Sequence, residues 1–255
     1  MVRIGYALSS EEFGPNDLVR LAVRAEEAGF EFAKLSDHYL PWVESQGQSP
    51  FAWAVLGAIA HSTSKLEVGT GVTCPIIRYH PAIIAQAAAT AAALMPGHFT
   101  LGVGTGENLN EHVVGRRWPS QAVRLAMLEE AVALIRLLWQ GGVQSHHGQH
   151  YTVENARIYT LPEQLPPIVV AAAGARSAET AGRIGDGLIN YTADAQVVET
   201  FTAAGGAGKP RYVQVNVCWA EDEAAARRTA HAICPNVALK GQLGQELATP
   251  KSNMQ

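Results

Sequence analysis

The sequence predicts an α/β protein built on a parallel sheet, and two observations carry that reading. Short apolar runs of strand length alternate with longer runs whose apolar residues recur at helical spacing. Strand, helix, strand without a meander means that each strand is regained through a crossover, which makes neighbouring strands parallel. The unit recurs roughly every 30–40 residues, the βα repeat of a barrel or a doubly wound sheet.

The elements follow in order. Residues 2–8 read as a strand. Gly14-Pro15-Asn16 opens a helix that places Leu18, Leu21, Ala22, Ala25 and Ala28 on one face, and Gly29 ends it. A second strand covers about 31–36. Ser49 and Pro50 then offer an N-cap and a first-turn proline for a helix reaching about Thr63. A third strand lies near 65–72, a helix runs from Pro81 to the stop at Pro96-Gly97, and a fourth strand covers 98–104. A long helix from about Ser120 to Trp139 has Leu125, Leu128, Val132, Ile135 and Leu138 on one face.

The rhythm then breaks. Residues 141–166 form an excursion from the repeat, with a hairpin expected around Gly148. A fifth strand (Ile168 to Ala172), a helix (Ser177 to Ile184), a sixth strand (Gly187 to Tyr191), a seventh strand (Tyr212 to Trp219) and a helix from about Asp222 to Cys234 complete the series. Trp139 and Trp219 lie in apolar periodic segments and are expected in the core. The polar tail from Pro235 to Gln255, with Gly241 and Gly244, offers no eighth strand. Either the chain is a fragment of a longer barrel, or its barrel has an open seam with exposed sheet edges.

Composition narrows the function. With 255 residues, 47% hydrophobic and 16% charged, the chain is long enough for a sizeable core. A net charge of −4 with scattered arginines gives no nucleic-acid footprint. The alanine-rich run from Ile83 to Leu94 is too short to span a bilayer. Cys74, Cys218 and Cys234 form no CxxC pair, so a reducing cytoplasm is expected, and no signal peptide is evident at the start.

Chemistry concentrates where strands end. Ser36-Asp37-His38-Tyr39-Leu40-Pro41-Trp42 brings a carboxylate, an imidazole and an indole off the second strand together, and Pro41 keeps the segment a loop. Its plainer reading is a turn with a surface histidine. Gly102-Val103-Gly104-Thr105-Gly106-Glu107 fails the dinucleotide fingerprint, because Glu107 stands where the third glycine belongs. It reads either as a backbone approach for a planar ligand or as a tight βα turn. Gly69-Thr70-Gly71-Val72-Thr73-Cys74-Pro75 offers the same pair of readings. Ala171-Ala172-Ala173-Gly174-Ala175-Arg176-Ser177 could seat a phosphate at a helix N-terminus, or simply pack a strand onto a helix. His146, His147 and His150 match no zinc spacing and no carboxylate accompanies them in sequence, so no metal site is expected.

Taken together, the runs Ser36–Trp42, Gly69–Val72 with Arg78-Tyr79-His80-Pro81, and Gly102–Glu107 with Leu109-Asn110-Glu111 resemble the luciferase-like flavin/deazaflavin superfamily. The closer likeness is to its F420-dependent glucose-6-phosphate dehydrogenase branch, and Ala181-Gly182-Arg183 and Gly185-Asp186-Gly187 extend it. The resemblance implies a (β/α)8 TIM barrel, here lacking the eighth strand and final helix, with coenzyme F420 at its C-terminal mouth. It implies a cis peptide at Gly71-Val72 supporting the deazaflavin. It also implies His38 as base, Glu107 as proton donor to the cofactor, and Trp42 as pocket wall. Asp37, Gly71, Val72, Thr73, Gly106, Asn110, Ala172, Ala173 and Gly174 would bind cofactor, and Trp42, Tyr191 and Asp194 would face substrate. Relatives that act on sugar phosphates carry a lysine where this chain has Asp194; a carboxylate there repels phosphate, so glucose 6-phosphate is not the expected substrate. FMN is the alternative cofactor, in a monooxygenase of the same fold, and a degenerate cofactor-binding barrel without turnover is the third reading. A homodimer is expected.

Overall fold

A computed structural model describes residues 2–233 and 243–250 of the chain. The elements are β1 (Gly5–Leu8), α1 (Pro15–Glu27), β2 (Phe32–Leu35), α2 (Ala52–Ser62), β3 (Glu67–Thr70), α3 (Pro81–Leu94), β4 (Phe99–Val103), α4 (Asn108–Glu111) and α5 (Gln121–Leu138). There follow β5 (Gln144–His147), β6 (Thr152–Ala156), β7 (Ile168–Ala171), α6 (Ala175–Ile184), β8 (Gly187–Asn190), α7 (Ala195–Phe201), β9 (Arg211–Val213), α8 (Glu223–Ile233) and α9 (Leu243–Glu246).

Seven strands form one parallel sheet in the order β1-β2-β3-β4-β7-β8-β9, and β5 and β6 pair separately as an antiparallel hairpin. The large sheet is curled. In a flat sheet β2 and β9, five steps apart, would be separated by about 24 Å. Instead the Phe32 and Tyr212 rings meet edge to face with centroids 5.4 Å apart. Among the described residues no strand bridges β1 and β9, so the barrel has an open seam. All seven C-terminal strand ends point to one rim, where β/α barrels hold their ligands.

The core explains the pattern. Every residue of β4 is buried, as are Leu35, Val68, Ile168, Val170 and Leu188 on neighbouring strands. Strands covered on both faces read as continuous apolar runs, which is what the sequence shows. Ala22, Ile59, Ala88, Ile135 and Ala181 bring α1, α2, α3, α5 and α6 onto the outer face. Alanine dominates α3 because small side chains let it pack closely.

Several boundaries differ from expectation. The first strand starts at Gly5, leaving Val2 and Ile4 exposed. Ser49 does not cap α2: Phe51, still extended, is the residue before the helix, and no side chain caps it. The seventh strand stops at Val213, because its one partner β8 ends at Asn190 and the last ladder bond is Gln214 N to the Asn190 carbonyl. Trp219 therefore lies 83% exposed, outside the core, whereas Trp139 is buried and donates its indole N–H to the Ala85 carbonyl. The hairpin forms as expected, and a carboxylate does accompany it. Glu130 on α5 meets His146 Nε2 at 3.1 Å and accepts the His150 and Tyr151 amides. Most of the tail from Cys234 onward, Gly241 included, lies outside the described residues. Its described part, 243–250, carries α9, where Arg124 of α5 meets Glu246.

Candidate functional site

The rim site starts where β2 ends. The Ser36–Trp42 loop is tied down on both sides. Asn110 on α4 accepts the Tyr39 and Leu40 amides with Oδ1, at 2.8 and 3.1 Å. Gln46 accepts the Trp42 and Val43 amides. The loop thus holds the His38 and Trp42 rings 5.0 Å apart, tilted at 58°.

His38 has partners at both ring nitrogens. Nδ1 lies 3.2 Å from the Leu40 carbonyl, which can only accept, so Nδ1 carries hydrogen. Nε2 lies 3.3 Å from Glu11 Oε1. The other Glu11 oxygen accepts from Ser9 and Ser36 hydroxyls at 2.9 and 2.7 Å. Glu11 and His38 are nearly buried, so their facing atoms meet in a poorly solvated pocket. Glu11 has no mark in the sequence: it lies between β1 and α1, 27 positions from its partner, in a run that reads as a loop.

Asp37 takes a different place from its neighbour. Its carboxylate is fully buried in the wall, accepting from Thr73 Oγ1 at 2.6 Å, Arg78 Nη2 at 3.1 Å and Tyr79 Oη at 3.2 Å. Arg78 also donates to the Asp37 carbonyl at 2.8 Å. These partners raise the Arg78 pKa despite the opposing effect of burial. Asp37 and Thr73 therefore hold the rim together through their side chains.

Beyond β3 the Gly71–Val72 peptide is cis. Tyr191, at the end of β8, donates its hydroxyl to the Gly71 carbonyl at 3.1 Å, linking opposite parts of the rim. Beyond β4, Gly106 has φ +68°, and a Cβ there would stand 2.5 Å from the Cys74 sulfur, so glycine is required on both counts. The turn delivers Glu107 to the start of α4, with Oε2 3.4 Å from Asn110 Nδ2. Asn110 thereby touches both the His38 loop and Glu107.

At the end of β7, Ala172 is buried and Ala173 is exposed. Ser177 Oγ already accepts the Ala173 and Gly174 amides, both at 3.2 Å. A phosphate seated there would exchange with that hydroxyl. Asp194 caps α7 by accepting the Gln196 amide at 2.9 Å. No helix of the described residues is long and apolar enough to cross a membrane, and no group of three or more His, Cys, Asp or Glu there could hold a metal.

The arrangement is that of a β/α barrel whose C-terminal mouth is flanked by an imidazole, an indole and a carboxylate. The chain belongs to the luciferase-like monooxygenase family, whose pattern matches residues 1–254. It is 50% identical over 189 residues to an F420-dependent glucose-6-phosphate dehydrogenase of Kribbella flavida, covering 74% of this chain and 57% of that protein. It is 47% identical over 190 residues to the enzyme of that name from Amycolatopsis mediterranei, again at 74% and 57% coverage. The chain thus spans a little over half the length of these curated relatives. Among solved structures it superposes on an F420-dependent secondary alcohol dehydrogenase in complex with an F420-acetone adduct, with TM-score 0.92, 32% identity and coverage of 98% of this chain and 79% of that one. An F420-dependent tetrahydromethanopterin reductase from Methanopyrus kandleri shares the fold at TM-score 0.78 and 23% identity.

Proposed function

We propose that this chain is an F420-dependent oxidoreductase that interconverts an unphosphorylated alcohol and its carbonyl. The observation that carries the reading is the juxtaposition of the Glu11–His38 pair with Trp42 on one side of the mouth and Glu107 on the βα turn two strands along. The residues fit the cofactor. Gly71 and Gly106 carry no side chain at two adjacent strand ends, where a Cβ would run into Lys34 and Cys74, and they leave bare backbone that a flat ring can approach. Gly71, Val72, Gly106 and Asn110 would flank that ring, and Ala172, Ala173 and Gly174 would meet its phosphate-bearing tail. When bound, F420 supplies a carbon that accepts or returns a hydride.

The protein's part is proton handling and orientation. A hydroxyl proton delivered to His38 Nε2 gives an imidazolium whose two N–H groups face the Leu40 carbonyl and the Glu11 carboxylate. Charge formed on the ring is thus met by an acceptor on each side. Glu107 is placed to exchange a proton on the cofactor side, and Asn110 fixes its distance from the His38 loop. Trp42 walls the substrate pocket, with Tyr191 across the mouth. The turn after β8, Tyr191-Thr192-Ala193-Asp194, offers a carboxylate and no cation, which favours a neutral substrate. A cytoplasmic homodimer, formed over the open seam, completes the proposal.

Titration with F420 and with FMN tests the cofactor. Tighter binding of F420 is expected, and preference for FMN would move the chain to the flavin monooxygenases of the fold. F420 reduction is then assayed with 2-propanol and with glucose 6-phosphate. Turnover of the alcohol, abolished in His38→Ala, is expected. Oxidation of glucose 6-phosphate with a KM in the usual range of about 1 µM to 1 mM would overturn the substrate assignment. Binding without turnover of any alcohol would leave a cofactor-binding barrel.

A further inference from the structure

Beneath the rim, one buried guanidinium faces two buried carboxylates. Arg78 donates through Nη2 to Asp37, the residue before His38. Its backbone N–H donates to Glu111 Oε2 at 2.7 Å, and Glu111 closes the helical turn that starts just after Glu107. Glu111 also packs under the Gly106 turn: a Cβ on Gly106 would stand 3.1 Å from Glu111 Cγ. Arg78 therefore touches the supports of both loops that carry the proposed proton-transfer groups.

One contact in this unit is not closed. Arg78 Nε and Glu111 Oε1 are both buried, and neither makes a hydrogen bond. They face each other at 3.5 Å. A donor and an acceptor orphaned side by side cost free energy as long as the gap stays open. The charge balance gives a reason for the gap. A single guanidinium compensates one buried carboxylate fully, and Asp37, with four bonds to its backbone and side chain, has the larger share. The second carboxylate is driven toward its neutral form, which attracts Nε–H weakly.

We propose that Arg78 is a positioning residue shared between the His38 and Glu107 loops, and that ionisation of Glu111 closes the Arg78–Glu111 bond and clamps the two loops together. The part of the proposal that concerns turnover rests on the reading of His38 and Glu107 given above; the clamp itself does not. Burial pushes the Glu111 pKa up to about 7, against the pull of Arg78 and reinforced by Glu107 and Asp37. The remaining titratable groups facing Glu111 are Cys74, Tyr79 and Tyr151, and burial raises all three pKa values, so they stay neutral through this range. The clamp is thus open below about pH 7 and closed above it.

Hydrogen exchange of the full chain without cofactor tests the clamp directly, through the Tyr39 and Leu40 amides held by Asn110. After correction for intrinsic rates, exchange in the 37–42 segment is expected to slow by about tenfold from pH 6 to pH 8, the scale of one charge-assisted bond. Glu111→Gln keeps the shape, removes the ionisation and is expected to abolish the step. Arg78→Lys, which cannot span both carboxylates, is expected to exchange fast at both pH values while its circular dichroism is that of the parent. An unchanged pH step in Glu111→Gln, or full protection in Arg78→Lys, overturns the proposal. F420 titration of the same three proteins separates the two claims. Absence of F420 binding by a parent that shows the step refutes the functional reading and leaves the clamp standing. F420 binding by a parent without the step does the reverse.

Discussion

At the scale of single residues, Glu11 is the most exposed to test. It meets His38 Nε2 at 3.3 Å and is itself fixed by two serine hydroxyls. Glu11→Gln keeps the volume and removes the charge that stabilises an imidazolium. A kcat lower by about 10–100-fold, with KM nearly unchanged and the pH–rate profile displaced, is the expected outcome in steady-state kinetics. An unchanged kcat would make Glu11 a mere brace of the loop. The positions of His38, Trp42 and Glu107 at strand ends, beside a proline or glycines, were legible in the sequence, while their proposed roles rest on the family resemblance. Glu11 was not legible, and Arg78 stood out only as part of a family-like run without a role, since their importance comes from partners 27 and 41 positions away that meet when the sheet curls. Asp37 shows the opposite limit: its position was legible, but its direction was not. Adjacent loop residues point apart, and it is Asp37 that turns into the wall.

At the scale of elements, alternation, prolines and glycines were enough to order the strands and the longer helices, whereas the short helices α4, α7 and α9 went unread. Boundaries failed where an element depends on its neighbour. The seventh strand reads as eight residues, Tyr212 to Trp219, on β-propensity, yet only Tyr212 and Val213 of these find a partner. The hairpin shows how an excursion from the repeat is anchored. Tyr151 donates its hydroxyl to the buried Ile76 carbonyl at 3.0 Å, on the segment leading to Arg78. Tyr151→Phe leaves that carbonyl unpaired and is expected to cost about 1–3 kcal/mol in urea unfolding. A loss near zero would show that solvent reaches the carbonyl without the hairpin.

At the scale of the whole molecule, the closed end of the barrel is held by charges as well as by packing. Lys34 on β2 points inside, with Nζ 3.8 Å from Glu67, 4.8 Å from the Tyr212 ring centroid and without a hydrogen bond. Arg3 pairs with Glu31 and Glu67 alongside. Burial lowers the Lys34 pKa to about 8 from 10.5, and the attraction of Glu67 recovers only part of that. The folded state therefore binds this proton less tightly than the unfolded chain does. The penalty is present in full below pH 8 and is relieved as pH rises from about 8 to 10.5. Lys34→Met is expected to raise stability at pH 7 by about 1–3 kcal/mol, because Glu67 keeps Arg3 and Thr100 as partners. The gain shrinks toward pH 10, and a thermal-melting series across that range measures it. A destabilised variant would mean that the Lys34–Glu67 attraction outweighs the cost of burying the ammonium.

Among the described residues the outer edges of β1 and β9 have no strand partner, and this also sets how the molecule deforms. A ring resists bending by carrying load around its full circumference, whereas a split ring opens like a leaf spring. In such a spring the curvature changes most opposite the slit, and displacement grows toward the free ends. Here β4 stands midway along the strand order, so Glu107 lies near the pivot. Glu11 follows the end strand β1 and His38 follows its neighbour β2, so the pair rides together on one arm. Asn110 ties that arm to the Glu107 turn, so flexing of the sheet moves the β7–β9 arm against a His38–Glu107 unit that travels intact.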